Sequence, residues 1–258
     1  MPKTPDPAPY RILSIDGGGL RGIIPLAILE NIDKAVPGWR SGINMYAGTS
    51  TGALIALGLA KGMEPAAIMD VYLRKCGMIF ERSLWEEVTT LDELTGPKYD
   101  STNREDVCHG LLDNARLRDY LSDDGSKGNV VIASFDVDDR MQPDPAKRRW
   151  RAKVFHNLPT VDGSDDGGEI AYRVAMRTSA APTYFGSYDG FVDGGVFANN
   201  PSMCALAQTQ DRRLKTAIPP SRCRRCACCR WALAPAIRIS MARKTGGWRS
   251  GRPSWWTY

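Results

Sequence analysis

The chain of 258 residues predicts an α/β fold with a mostly parallel central sheet flanked by helices on both faces. Two observations predict it. A short apolar strand, a glycine turn and an apolar helix follow one another twice within the first 60 residues. A third apolar run, Phe191-Val192, then approaches a glycine pair and the start of a further helix. Strands that alternate with helices are the signature of a parallel sheet covered on both sides.

Residues 10–15 form the first strand, short, mostly apolar and ending in glycines. Leu20, Ile23, Ile24, Ala27, Ile28 and Ile32 then recur at helical spacing. The second unit has its strand at 43–47, its turn at 48–52 and an apolar helix at 53–60. The stretch 61–126 reads as helical or irregular, 130–135 as a buried strand, and 170–175 as a weaker strand. Segments 138–149 and 160–168, rich in Asp, Pro, Gly and Arg, read as exposed loops. After Phe191-Val192, Asn200 supplies an N-cap and Pro201 a first-turn proline for a helix reaching about Leu214.

Composition divides the chain near residue 220. Residues 221–258 hold nine Lys and Arg with no Asp or Glu; without them the remaining 25 basic and 29 acidic residues give a body of −4, against +5 for the whole. The basic balance therefore says nothing about the partners of the body. Cys223, Cys226, Cys228 and Cys229 crowd together, whereas Cys76, Cys108 and Cys204 are scattered as in a reducing compartment. No run approaches 18 apolar residues and the start has four prolines in place of an apolar signal core, so a cytoplasmic protein is expected.

Residues 48–52, Gly-Thr-Ser-Thr-Gly, fit Gly-x-Ser-x-Gly between an apolar strand and an apolar helix. Such a turn strains the serine backbone and exposes its hydroxyl at a helix N-terminus, which makes Ser50 a candidate nucleophile. Residues 14–22, SIDGGGLRG, also match the dinucleotide fingerprint at Gly17, Gly19 and Gly22. That fingerprint expects an acid at the end of the second strand, about 20 residues on. Here the second strand ends at Gly48, Thr49 and Ser50, and Asp16 would repel a pyrophosphate. The N–H groups of Gly17, Gly18 and Gly19 fit an oxyanion hole better, with a merely structural turn as the alternative. Arg21 either orients this loop or is a solvated arginine. A serine nucleophile needs a base. The two histidines, His109 and His156, stand in no turn motif. Asp193 follows a short apolar strand and precedes two glycines, where a dry pocket would raise its proton affinity; Asp189 and Asp136 are rivals without a glycine pair.

The motifs DGGGLRG, GTSTG and DGG, in that order and with RTSAAPTYF between the last two, resemble the patatin-like phospholipases over about residues 8–216. The resemblance implies a patatin-like three-layer fold related to the catalytic domain of cytosolic phospholipase A2. It implies hydrolysis of acyl esters in membrane phospholipids or other lipids, with Ser50 as nucleophile and Asp193 as base. Such a Ser–Asp dyad needs neither histidine nor calcium. The oxyanion hole would be Gly17, Gly18 and Gly19, joined by Thr51. No metal, cofactor or nucleic acid is implied, peripheral membrane contact is, and an unidentified activator is allowed. The rival is a catalytically silent patatin domain that binds lipid or a partner; a nucleotide-binding oxidoreductase ranks third because the ribose acid is missing. Residues 217–258 depart from the family. Without strand alternation they are expected to be disordered or out-of-frame sequence that costs the sheet a strand, with a zinc site or a lipid-binding tail as alternatives. Residues 78–88 could form a lid, or a helix packed on the core.

Overall fold

The computed structural model describes residues 9–76, 101–123, 127–140, 142–182, 184–215, 218 and 227–231. Residues 78–88, read as a lid or as a helix packed on the core, lie outside them. Strand β1 (Arg11–Ile15) leads through the glycine loop into α1 (Ile23–Ala35). Strand β2 (Met45–Thr49) leads through Ser50 into α2 (Thr51–Ala60). Helices α3 (Pro65–Val71) and α4 (Ser101–Leu112) precede β3 (Asn129–Asp136) and β4 (Arg151–His156). Helix α5 (Ala171–Thr178), strand β5 (Phe191–Asp193) and the short helices α6 (Gly195–Ala198) and α7 (Ser202–Gln208) follow, then β6 (Ala227–Trp231).

The strands lie in the order β4-β3-β2-β1-β6, with β5 also paired to β3. The pairs β1–β2, β2–β3 and β1–β6 are parallel, and β4 and β5 run antiparallel to β3. Alternate residues of a strand point to opposite faces. Leu13, Ile15, Tyr46, Val130 and Ile132 pack with Leu26, Leu29, Ile55 and Val174 on one face. Ile12, Met45, Ala47 and Val131 pack with Ala205 and Leu214 on the other. Both faces are dry, which is why these strands read as continuous apolar runs. Helix α2 is buried from Thr51 to Leu59, so it is apolar all round.

Four expectations change. Residues 170–175 are not a strand: Ala171, Val174, Ala175 and Thr178 are all buried and repeat at the spacing of a helix face, which gives α5. Strand β4 has no counterpart in the sequence reading, because its first half is exposed and charged, as suits a sheet edge. The helix expected through Leu214 ends at Gln208 and begins one residue late. Pro201 takes the N-cap position in place of Asn200, whose Oδ1 accepts from the Ser202 N–H at 3.0 Å and so braces the turn that enters the helix. Finally, the segment after 220 does bring a strand. Ala227–Trp231 pairs with Arg11–Ile15 and satisfies the backbone edge of β1 that would otherwise lie open.

Candidate active site

The sheet register dictates where the site forms. Strand β2 ends with Thr49 opposite Ala133. Strand β4 occupies the other edge of β3 as far as Asp136. Strand β5 takes the edge of β3 that β2 leaves free, entering antiparallel and ending with Asp193 opposite Ser134. The last residue of β5 therefore meets the residue after β2 end to end. The expectation that Asp193 ends a strand of the parallel set is corrected in direction: β5 is antiparallel, yet so short that Asp193 comes level with the carboxyl ends of β2 and β3.

Ser50 has φ 54° and ψ −125°, a positive-φ backbone that a residue with a Cβ adopts only when its surroundings force it. The flanking glycines supply the force. A Cβ on Gly48 would lie 2.5 Å from the Cα of Ala53, and one on Gly52 would lie 2.6 Å from the Asp16 carbonyl oxygen. Strand, turn and helix are thus pressed together so closely that only glycine fits two residues to either side. The Ser50 N–H donates to Thr178 Oγ1 at 2.9 Å, and Thr178 Oγ1 donates to the Ala133 carbonyl at 2.5 Å.

Asp193 is 8% exposed. Its N–H donates to the Ala180 carbonyl at 2.9 Å, and its Oδ1 accepts from the Gly195 N–H at 2.7 Å. Burial holds its carboxyl above the usual aspartate range; hydrogen bonds from the Ser50 side chain and the Gly195 N–H, and the charge of Arg104, pull the other way. Burial outweighs the three, as expected where a charge leaves water for a nearly closed space.

Ser50 and Asp193 share a cavity of about 240 Å³ with Gly18, Gly19, Thr51 and Asn199. Leu54, Val107 and Phe185 give it apolar walls. Gly17 is not in the lining: its N–H donates to the Asn199 carbonyl at 3.0 Å, and Asn199 Nδ2 returns a bond to the Gly17 carbonyl at 3.3 Å. The oxyanion-hole expectation therefore narrows to Gly18 and Gly19, because the Gly17 donor is already spent on a backbone carbonyl. Asp16, buried, accepts from Asn200 Nδ2 at 2.9 Å, and Arg21 turns back to the Gly18 carbonyl at 3.4 Å, so both brace the loop.

The rival groups lie elsewhere. Asp136 Oδ1 accepts from the N–H groups of Asp138 and Asp139, and Asp189 pairs with Arg177 at 3.1 Å. His109 packs edge-on against Tyr172, and His156 is buried at the end of β4; neither is in the cavity lining. Arg104 is in that lining, and the sequence reading passed over it. Its Nη1 donates to the Ser179 carbonyl at 2.7 Å and its guanidinium sits 4.2 Å from the centre of the Phe185 ring. The signal was present: Arg104, Val107, Cys108 and Leu111 are all buried, so an arginine occupies the first position of an apolar helical stripe. Asn199 was missed because the adjacent Asn200-Pro201 reads simply as a helix start.

The family described as patatin-like phospholipase matches residues 13–206. Patatin-like protein 2 of Arabidopsis thaliana is 31% identical over 242 residues, covering 80% of this chain and 55% of that protein. The cGAMP-activated phospholipase of Vibrio cholerae is 28% identical over 216 residues, covering 76% of this chain and 56% of that protein. The chain spans about half the length of these curated relatives. Among solved structures, the ExoU–SpcU heterodimer from Pseudomonas aeruginosa aligns with a TM-score of 0.48 at 16% identity, over 87% of this chain and 44% of that one.

Proposed function

The chain belongs to the patatin-like phospholipase family, and on that premise we propose that it is a lipid acyl hydrolase working through a Ser50–Asp193 dyad. The observation that carries this reading is the meeting of a serine on a strained strand-to-helix turn with a buried carboxylate whose proton affinity is raised.

In the proposed cycle Asp193 takes the hydroxyl proton as Ser50 Oγ attacks the ester carbonyl carbon. The carbonyl π electrons move to oxygen, and the N–H groups of Gly18 and Gly19, joined by Thr51 at the start of α2, stabilise that oxyanion. Each such donor contributes on the order of 3 kcal/mol. Collapse expels the alcohol, which leaves with the proton from Asp193, and the acyl group stays on Ser50. A water molecule then attacks the acyl carbon, giving its proton to Asp193. The fatty acid departs as the proton returns to Ser50. The apolar walls at Leu54, Val107 and Phe185 suit an acyl chain better than a sugar or a nucleotide. Peripheral contact with a lipid surface would bring such substrates to the site.

The test is kinetic. With a short-chain nitrophenyl ester, Ser50→Ala should abolish turnover, and Asp193→Asn should lower it by roughly 10²-fold or more, the scale of a lost general base. His109→Ala and His156→Ala should stay within a few-fold of the unaltered chain. A histidine variant as inactive as Asp193→Asn would replace the dyad with a triad. No turnover by the unaltered chain on any acyl ester would favour a silent lipid-binding domain.

A further inference from the structure

We propose that an aromatic row at one end of the sheet, flanked by Lys147, Arg148 and Arg149, docks the protein on an anionic lipid surface. Trp150 is 74% exposed and stacks on Phe135, with ring centres 5.9 Å apart. Phe135 in turn lies 6.4 Å from Phe197, which is 38% exposed beside an exposed Val196. Phe197 belongs to α6, between Asp193 and the cavity residue Asn199, so the row is built on the segment that carries the proposed base.

Charge flanks Trp150 in the sequence. Residues 145–153 contain Lys147, Arg148, Arg149, Arg151 and Lys153 and no carboxylate, on a body that is net acidic. Several of these cations have nearby acids, but the cation is usually the outer partner. Lys147 is 72% exposed over Asp144, whereas Arg151 and Lys153, paired with Asp136, Asp139 and Asp166, project from the opposite face of the sheet to Phe135. Arg149 makes no ion pair among the described residues. An indole and phenyl rings seat at the headgroup boundary, and Lys and Arg beside them are drawn to anionic headgroups. A bare apolar contact would suit a protein partner equally well; the outward cations favour the lipid surface. The cavity points the same way. At about 240 Å³ it falls below the roughly 300–1,000 Å³ of pockets that enclose a drug-sized ligand, so most of a diacyl lipid would remain outside it. The choice of occupant rests on the lipid-hydrolase reading.

The full chain carrying Ser50→Ala, to separate binding from turnover, should co-sediment with phosphatidylcholine vesicles that contain phosphatidylserine. It should do so less with phosphatidylcholine alone, and less at high salt. On that background Trp150→Ala should weaken the partition about tenfold, and Lys147→Ser with Arg149→Ser comparably, at unchanged melting temperature. On the active chain, Trp150→Ala should cleave a soluble nitrophenyl ester at the unaltered rate. Undiminished binding by both variants, equal binding to neutral vesicles, or capture by a single-stranded oligonucleotide in preference to vesicles would overturn the proposal. Vesicle binding without any ester hydrolysis by the active chain would overturn the enzymatic reading and leave the docking surface standing.

Discussion

At the scale of the residue, Asp193 unites two requirements that oppose one another. As the proposed base it has to be ionised, whereas its position, 8% exposed against the end of β2, favours the protonated form. Activity should therefore appear as pH rises through a value above the usual aspartate range, and a kcat/KM profile with its acidic limb at an ordinary carboxylate position would contradict that. Stability has the opposite sign. The folded chain holds this proton more tightly than the unfolded chain, so the contribution is fully present below the unfolded pKa and is lost as pH rises through the folded one. Asp193→Asn should thus raise the melting temperature at neutral pH while removing activity, and the gain should shrink as the solution is acidified toward the unfolded pKa. Asp193 and Ser50 stood out as candidates in the sequence because glycines that permit close backbone approach lie within two residues of each. Arg104 did not, since a buried arginine inside a helix breaks a local rule without announcing what it faces. Gly17 misled for a related reason: three consecutive glycines show that backbone approaches closely there, and not which N–H is already taken by Asn199.

At the scale of the element, the turn between β2 and α2 concentrates the constraint. A methyl group on Gly52 would run into the carbonyl oxygens of Ile15 and Asp16, which belong to backbone and cannot swing aside. Gly52→Ala should cost about 1–3 kcal/mol, the range of an overpacked core, visible as a drop of several degrees in melting temperature. It should also lower turnover by displacing Ser50; an unchanged melting temperature and rate would show that the approach is looser. The strands β1, β2 and β3 were legible because both their faces are dry, which writes an unbroken apolar run into the sequence. The edge strand β4 was not, because half of it meets water. Helix α5 was misread because its window, 170–175, holds only the first turn of a helical repeat that runs to Thr178.

At the scale of the whole molecule, the order β4-β3-β2-β1-β6 places the glycine loop and the Ser50 turn on adjacent parallel strands, and β5 closes the site from the opposite direction. A sequence shows the two parallel units locally, but the end-to-end meeting of β5 with β2 is a matter of register between segments more than 140 residues apart. Strand β6 shields the open edge of β1. Removing residues 221–258 should expose that edge, lower the melting temperature and raise the aggregating fraction; a truncated chain as stable and soluble as the full one would show that β6 contributes little. Neither result would touch the central claim, that Ser50 accepts the acyl group with Asp193 as its base. The most direct measurement of that claim is to label the chain with a fluorophosphonate and map the adduct by peptide mass spectrometry. The account predicts a single adduct on Ser50, absent in Ser50→Ala and formed much more slowly in Asp193→Asn. An adduct on another residue, or labelling that survives Ser50→Ala, would contradict it.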